Sequence, residues 1–192
     1  YDKKKFILKL YPESLEYKNY RLKKEVSFLN LMFQNNFYQV PQIYAYNERY
    51  NFIIFNYIKG GSNFDISFDY LDKLIQFVIF LKNLSTKIPK KNLDLAKESS
   101  INLKKILYNI ETRLYVLKQK SLDDDNLKTF LEKKFIPIWL KYKKDYLLSI
   151  KKNKLNNSLS QKFYILSPSD FGFHNSIKYK QSIFFIDFEY SG

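Results

Sequence analysis

The hydrophobic pattern of the chain changes from mostly short apolar runs to long stretches of helical spacing near the glycine pair Gly60-Gly61. Before this pair, short apolar runs flank one stretch of helical spacing, which predicts a strand, a helix and two more strands. Beyond it, apolar residues recur at helical spacing up to residue 152, and the last segments return to short strands. This order predicts an α+β protein in which a small sheet precedes a mostly helical part, with the boundary at the glycine pair.

The individual elements follow from these runs. The apolar strand at residues 6–11 is expected to be buried, and Pro12 ends it. Pro137 is expected to kink or divide the last long helix, because proline lacks a backbone N–H. Helices are predicted at residues 17–33, 71–81, 97–119 and 124–152, and strands at 6–11, 41–46, 51–55, 163–166, 177–179 and 183–187.

The composition excludes several classes of protein. The chain has no cysteine and a single histidine, His174, which excludes a disulfide scaffold, a thiolate zinc site and a multi-histidine metal site. With 45% apolar and 27% charged residues, its 192 residues can bury a sizeable core. The long uncharged stretch at residues 27–47 contains too many amide side chains for a membrane helix. We therefore expect a cytoplasmic protein without a membrane partner.

The net charge of +14 favours anionic ligands. The basic residues are nearly all lysines spread along the chain, and only Arg21, Arg49 and Arg113 are arginines. Because bidentate recognition of guanine or phosphate favours arginine, compositional drift explains this charge better than nucleic-acid binding does, although the overall field still favours an anionic ligand such as a nucleotide. A basic, helical nucleic-acid-binding domain stays open as the least favoured hypothesis.

Two charged residues interrupt apolar patterns in the first part of the chain. Lys9 lies inside the first predicted strand, where an unpaired buried charge costs several kcal/mol. Its alternative is an edge-strand lysine whose ammonium reaches water. Glu25 lies beside the apolar stripe of the first helix, three residues after Leu22 and four before Leu29. An ion pair between Lys9 and Glu25 would join the strand to the helix.

Two polar segments near the end of the chain complete a chemically coherent set. They are residues 169–175, and Asp187 with its neighbours at the end of an apolar strand. Transfer of a terminal phosphoryl group needs a lysine for the other phosphates, oxygen ligands for Mg²⁺ and a separate carboxylate for the acceptor proton. Asp170, Asn175 and Asp187 can converge on one ion across a short hairpin. Taken singly, each is also a common loop or cap residue.

The sequence resembles the aminoglycoside phosphotransferase and choline kinase family, which has the protein-kinase-like fold. The resemblance extends over most of the chain and is carried by Lys9, Glu25 and the segments NFIIFNYIKG at 51–60, SPSDFGFHN at 167–175 and FIDFEYSG at 185–192. It implies a two-lobed α+β fold. Residues 1–58 would form a partial N-terminal nucleotide-binding lobe and hinge, and residues 59–192 a larger, mainly helical C-terminal lobe.

The resemblance also implies an activity, the transfer of a phosphoryl group from ATP or GTP to a hydroxyl of a sugar, amino sugar or amino alcohol. Asp170 would be the catalytic base. Lys9, held by Glu25, would contact the α and β phosphates. The backbone of the hinge at Asn56, Tyr57 and Ile58 would read the adenine edge, and Mg²⁺ would be bound by Asn175 and Asp187, with Glu189 as a weaker candidate.

Two features bear on this assignment. Asp170-Phe171-Gly172 also spells the metal-binding motif of protein kinases, but that register would leave Asp187 without a role. Pro168 stands where relatives usually have a histidine, so a catalytically weak pseudokinase or nucleotide-binding interaction domain is the second hypothesis. The first strands expected before Lys9 and the helices expected after residue 192 are missing, and we therefore expect a partial chain.

Overall fold

The computed structural model describes residues 4–12, 20–62, 67–89, 94–97, 99–149 and 157–192. The chain forms two compact units, one made of residues 1–99 and 164–192 and the other of residues 100–163. All residues to which the sequence assigns chemistry lie in the first unit. The division into lobes at residue 58 stays a prediction, and the predicted helix start at residue 17 and helix end at residue 152 lie outside the described residues.

The first unit contains a three-stranded antiparallel sheet, as the alternation of short apolar runs predicts. The turn between the second and third strands places Asn51 in the left-handed region, with φ 51°. The third strand lies in the middle of the sheet, and the strands are β1 (Phe6–Leu10), β2 (Ile43–Asn47) and β3 (Phe52–Asn56).

Helix α1 (Tyr20–Gln34) packs one face on the core of the first unit. Leu22, Leu29 and Met32 recur on this face and are fully buried. Glu25 belongs to the same face and is only 1% exposed. The expected stripe is therefore present, and it carries a buried carboxylate.

Helix α2 (Phe68–Lys87) begins at Ser67, whose side chain accepts a hydrogen bond from the Tyr70 backbone N–H. Its buried face includes Tyr70, Phe77 and Leu81. Ile75 and Val78, which recur at helical spacing with Leu71 and Leu81 in the sequence, are exposed. The helix begins before the predicted start at residue 71, and its aromatic residues fill the core in place of these two aliphatic side chains.

Strands β4 (Ser176–Tyr179) and β5 (Ser182–Phe185) form a hairpin after a 3-10 turn at residues 173–175. The ring of Phe185 stacks on that of Phe77, with centroids 4.3 Å apart, and the ring of Phe188 stacks on that of Phe28 at 4.6 Å. These contacts fix the end of the chain against α2 and α1, because stacked, buried rings combine area burial with a preferred geometry.

Two expectations for the first unit are wrong. Residues 163–166 form no strand, because the Leu166 N–H donates to the hydroxyl of Ser85 at 2.6 Å instead of to a neighbouring strand. Strand β1 is not buried, since its side chains range up to 69% exposed at Leu10. Because β1 is an edge strand of the sheet, its apolar sequence alone does not ensure that another layer of the protein covers it.

The second unit is helical in its described part. Asn102 and Asp124 cap α3 (Leu103–Lys120) and α4 (Asp125–Phe130) by accepting backbone N–H bonds. A π-helical turn at residues 131–135 leads into α5 (Ile136–Ser149), so the last long helix is divided just before Pro137, as predicted. The predicted helix at 97–119 begins only at Leu103. Among the described residues, no helix has the length and apolarity needed to cross a membrane.

The glycine pair differs in its two positions, which gives a stability prediction. A Cβ added at Gly60, where φ is 146°, would lie 2.3 Å from the Lys178 carbonyl oxygen, whereas one at Gly61 would meet nothing within 4 Å. We expect Gly60→Ala to lower the free energy of unfolding by about 1–3 kcal/mol and Gly61→Ala to change it by less than about 0.5 kcal/mol. Urea denaturation of the two variants measures this difference, and equal losses would contradict it.

Candidate active site

The ammonium of Lys9 is the centre of the site. It lies 2.7 Å from Glu25 Oε2, 2.5 Å from Asp187 Oδ1 and 3.2 Å from Glu189 Oε2. Burial by itself lowers the pKa of this ammonium, but the charge of Glu25 and the hydrogen bonds to Asp187 and Glu25 outweigh it. The pKa of Lys9 therefore lies above its usual value, and the side chain is a permanent cation.

The Glu25 carboxylate is held by three donors from different parts of the chain. Its Oε2 accepts from Lys9 and from the hydroxyl of Tyr11, and its Oε1 accepts from the Phe188 backbone N–H at 3.2 Å. Both oxygens of this buried carboxylate therefore have hydrogen-bond partners. The expected pair of Lys9 and Glu25 is present, and it also reaches the segment after β5.

A second cation, Arg21, offsets part of the surplus acidic charge of the cluster. One oxygen from each of Glu25, Asp187 and Glu189 lies within 4.8 Å of the others. Arg21, one turn before Glu25 on α1, contacts the other oxygen of Glu189 at 3.2 Å. Two cations and three carboxylates thus leave the cluster with a formal charge of about −1, counted at ordinary protonation.

A cavity of about 450 Å³ opens beside this cluster. It is large enough for a small organic ligand, and it combines apolar walls with a few polar groups at one end. Ile7 and Ile177 are among the apolar residues of its wall. Of the residues assigned from the sequence, its lining includes Lys9, Glu25, Asn56, Tyr57, Ile58, Asn175 and Asp187.

The three residues that we expected to form the hinge, Asn56, Tyr57 and Ile58, line this cavity and differ in their backbone hydrogen bonds. The Asn56 N–H donates to the Gln42 carbonyl, and the Tyr57 N–H donates to the Lys5 carbonyl. In the part of the chain that the structure describes, the Ile58 N–H makes no such bond. Among the described residues, Ile58 is therefore the one of these three whose backbone N–H has no backbone acceptor.

Asp170 lies on an exposed loop that is fixed by its neighbours. Asn175 donates its amide to the Asp170 backbone carbonyl at 2.7 Å, and His174 Nε2 lies 3.3 Å from Asp170 Oδ1. The preceding Ser169 adopts φ 67°, and its N–H donates to the hydroxyl of Ser167. His174 thus contacts the carboxylate of this loop.

Asn175 and Asp187 are brought together by the β4–β5 hairpin. The Ile186 N–H donates to the Asn175 carbonyl at 3.0 Å, which places the two segments side by side. Because the amide nitrogen of Asn175 is used by Asp170, its side-chain oxygen is the group left for a ligand. Carboxylate and amide oxygens are the ligands that Mg²⁺ prefers, so these two residues fit such an ion.

Comparison with known proteins identifies the fold. No family model and no curated protein matches the chain. The solved structure of a streptomycin-ATP-APH(2")-IIa ternary complex, an aminoglycoside phosphotransferase, is 20% identical with a TM-score of 0.50. A gentamicin-APH(2")-IIa complex is 21% identical with a TM-score of 0.47. Both matches cover 97% of this chain and 60% of the other, so the chain spans less than two thirds of the length of its match.

The chain therefore has the kinase-like fold of that phosphotransferase, in which helices accompany small antiparallel sheets. The resemblance inferred from the sequence is confirmed at the level of the fold. The roles of the individual site residues are not tested by this similarity.

Three contacts at the site were not anticipated from the sequence, namely those made by Tyr11, Arg21 and Ser167. The sequence pattern could have indicated a role for Arg21, because this residue lies four residues before Glu25 on one helix face. For Tyr11 the sequence gives only a weak indication, since this residue ends an apolar strand immediately before Pro12. For Ser167 it gives none, because serine is common in loops.

The contrast between a buried and an exposed carboxylate gives a prediction. Glu25→Gln removes the negative charge of a carboxylate that accepts from three donors, and the amide nitrogen of the new glutamine would face at least one of these donors. We expect the free energy of unfolding to fall by about 2–4 kcal/mol. Glu48→Gln, which disrupts the exposed pair with Lys23, is the control and should cost less than about 1 kcal/mol. Chemical denaturation checks both, and a loss at Glu25 no larger than at Glu48 would count against the three-donor contact.

Proposed function

We propose that the chain is the core of an ATP-dependent phosphotransferase that moves a phosphoryl group to a hydroxyl of a small molecule. The observation that carries this proposal is one cavity lined by the hinge backbone, the Lys9–Glu25 pair, Asn175 and Asp187. The fold shared with a phosphotransferase whose structure contains ATP supports it. We propose a cytoplasmic location for the protein, because the nucleotide is abundant there. We also propose that residues 1–58 form the N-terminal lobe and residues 59–192 the C-terminal lobe.

The nucleotide is proposed to lie along this cavity. The adenine edge would accept a hydrogen bond from the Ile58 N–H, with Asn56 and Tyr57 forming the rest of the hinge. The cation of Lys9 would bind the α and β phosphates, and Glu25 would hold Lys9 from the opposite side. This assignment uses a permanent positive charge where phosphate charge must be balanced.

Asp187 and Asn175 are proposed to hold Mg²⁺, with Glu189 as a weaker third ligand. The ion supplies neutralisation of charge on the phosphate oxygens. Glu189 is already shared between Lys9 and Arg21, which is why it ranks below the other two. The donor set is all oxygen, as a hard cation requires.

Asp170 is proposed to be the base that orients the acceptor hydroxyl and receives its proton. Its carboxylate is exposed, so an acceptor can reach it, while its backbone is fixed by Asn175. The acceptor class is a sugar, amino sugar or amino alcohol. The net charge of +14 disfavours a strongly polycationic acceptor.

A nucleotide-binding pseudokinase is the second candidate. Pro168, which is buried two residues before Asp170, supports it, because proline cannot supply the hydrogen bonds of the usual histidine. The two candidates differ in turnover and agree in nucleotide binding. Transfer of radiolabelled phosphate from ATP to a panel of hydroxyl compounds separates them, and binding without transfer favours the pseudokinase.

Removal of the Asp170 carboxylate tests the catalytic assignment. We expect Asp170→Asn to lower kcat by roughly 10²–10⁴-fold while leaving the affinity for ATP unchanged, because the side chain acts only on the acceptor. Steady-state kinetics with the acceptor found in the panel measure this. The control is Asp72→Asn, an exposed carboxylate on α2. Turnover equal to that of the control would remove Asp170 from the mechanism.

Asp187 is tested by its effect on metal-dependent binding. We expect Asp187→Asn to abolish the part of ATP affinity that depends on Mg²⁺, because the amide is a weaker ligand and carries no charge. Titration calorimetry with and without Mg²⁺ shows this, with Asp72→Asn again as the control and the free energy of unfolding measured in parallel. If the Mg²⁺ dependence survives in a folded Asp187→Asn protein, Asp187 is not the principal ligand.

A further inference from the structure

We propose that Tyr11 is a positioning residue of this site, whose hydroxyl holds the Glu25 carboxylate in place for Lys9 while phosphates compete for the Lys9 ammonium. The inference rests on the proposed function, because it assumes that Lys9 binds phosphates. Neither the resemblance nor the sequence assigns Tyr11 a role.

Tyr11 contacts both partners of the ion pair. Its hydroxyl donates to Glu25 Oε2, the same oxygen that accepts from Lys9 at 2.7 Å. Its ring lies against the Lys9 ammonium, which is 4.9 Å from the ring centroid. A hydrogen bond to a charged acceptor and a cation–π contact are both stronger when buried, and Tyr11 is only 5% exposed.

The backbone of Tyr11 is anchored independently of α1. The Tyr11 N–H donates to the Asn51 carbonyl at 3.0 Å, and the Asn51 side-chain amide donates to the Tyr11 carbonyl at 3.1 Å. Both contacts anchor Tyr11 to the turn before β3. The rigid phenol therefore reaches Glu25 from the sheet, and the helix carboxylate is fixed against it.

This anchor matters when Lys9 is shared. Glu25 is only 1% exposed, so water cannot replace a donor that it loses. If a phosphate takes part of the hydrogen-bonding capacity of Lys9, the Tyr11 hydroxyl and the Phe188 N–H are the donors that remain. Burial and the charge of Glu25 raise the pKa of Tyr11, so the phenol stays protonated and keeps its donor at neutral pH.

The test compares two ligands that differ only in phosphates. Tyr11→Phe keeps the ring and removes the hydroxyl, and we expect its affinity for ATP to fall about tenfold in calorimetry, with adenosine affinity unchanged within about twofold. A merely structural defect would weaken both ligands alike. Tyr38→Phe, which removes an exposed hydroxyl bonded to Asn36, is the control and should change neither affinity. Unchanged ATP affinity, or equal loss for both ligands, would overturn the proposal.

A double-mutant cycle with Glu25→Gln shows whether Tyr11 acts through Glu25. We expect Tyr11→Phe to have little further effect on ATP affinity or on unfolding once Glu25 is changed, and additive effects would overturn the proposal. The unfolding half of the cycle needs no nucleotide. A chain that binds neither ATP nor adenosine would overturn the proposed function. In that case non-additive unfolding would support the coupling of Tyr11 to Glu25, and additive unfolding would overturn it.

Discussion

Charge balance around the Lys9 ammonium holds the first unit together at its site. Without this cation, the three carboxylates of Glu25, Asp187 and Glu189 would lie within 4.8 Å of one another in a partly buried place, where like charges repel strongly. With it, β1, α1 and the segment after β5 have a common partner. The apolar contact of Phe28 with Phe188 lies in the core of the same unit, so packing and charge fix the same segments.

The main pair of the site could be predicted from the sequence because both members violate a pattern. A lysine in an apolar run and a glutamate beside an apolar stripe each need an explanation, and an ion pair explains both. Arg21 shows the limit of this reasoning. Its spacing from Glu25 suggests a pair within the helix, yet it contacts Glu189, which is 168 residues away. Tyr11 fits its apolar surroundings, so no violation marks its hydrogen bond.

In the fold, too, elements set by local sequence signals could be predicted, whereas features that depend on distant residues could not. The hairpin of β2 and β3 and the start of α4 could be predicted, because turn residues and helix caps are local signals. The predicted start of α3 is six residues too early, although Asn102 caps it. Residues 163–166 have a strand-like composition but no strand partner, since Ser85 takes the Leu166 N–H. The prediction that β1 is buried is wrong for a related reason, because an apolar strand is buried only where a neighbouring layer covers it.

The backbone of the site is strained where the chemistry is proposed. Ser169 and Asp187 both have φ 67°, a left-handed conformation that costs a non-glycine residue about 1–2 kcal/mol. Each is flanked by bonds that compensate for this cost. Ser167 accepts from Ser169 and exchanges two backbone bonds with Gly192, while the residues on either side of Asp187 donate to Asn175 and Glu25. The geometry of the proposed base and metal ligand therefore depends on the hydrogen bonds made by Ser167, by the Asn175 carbonyl and by Glu25, and Ser167 holds the loop that contains Pro168.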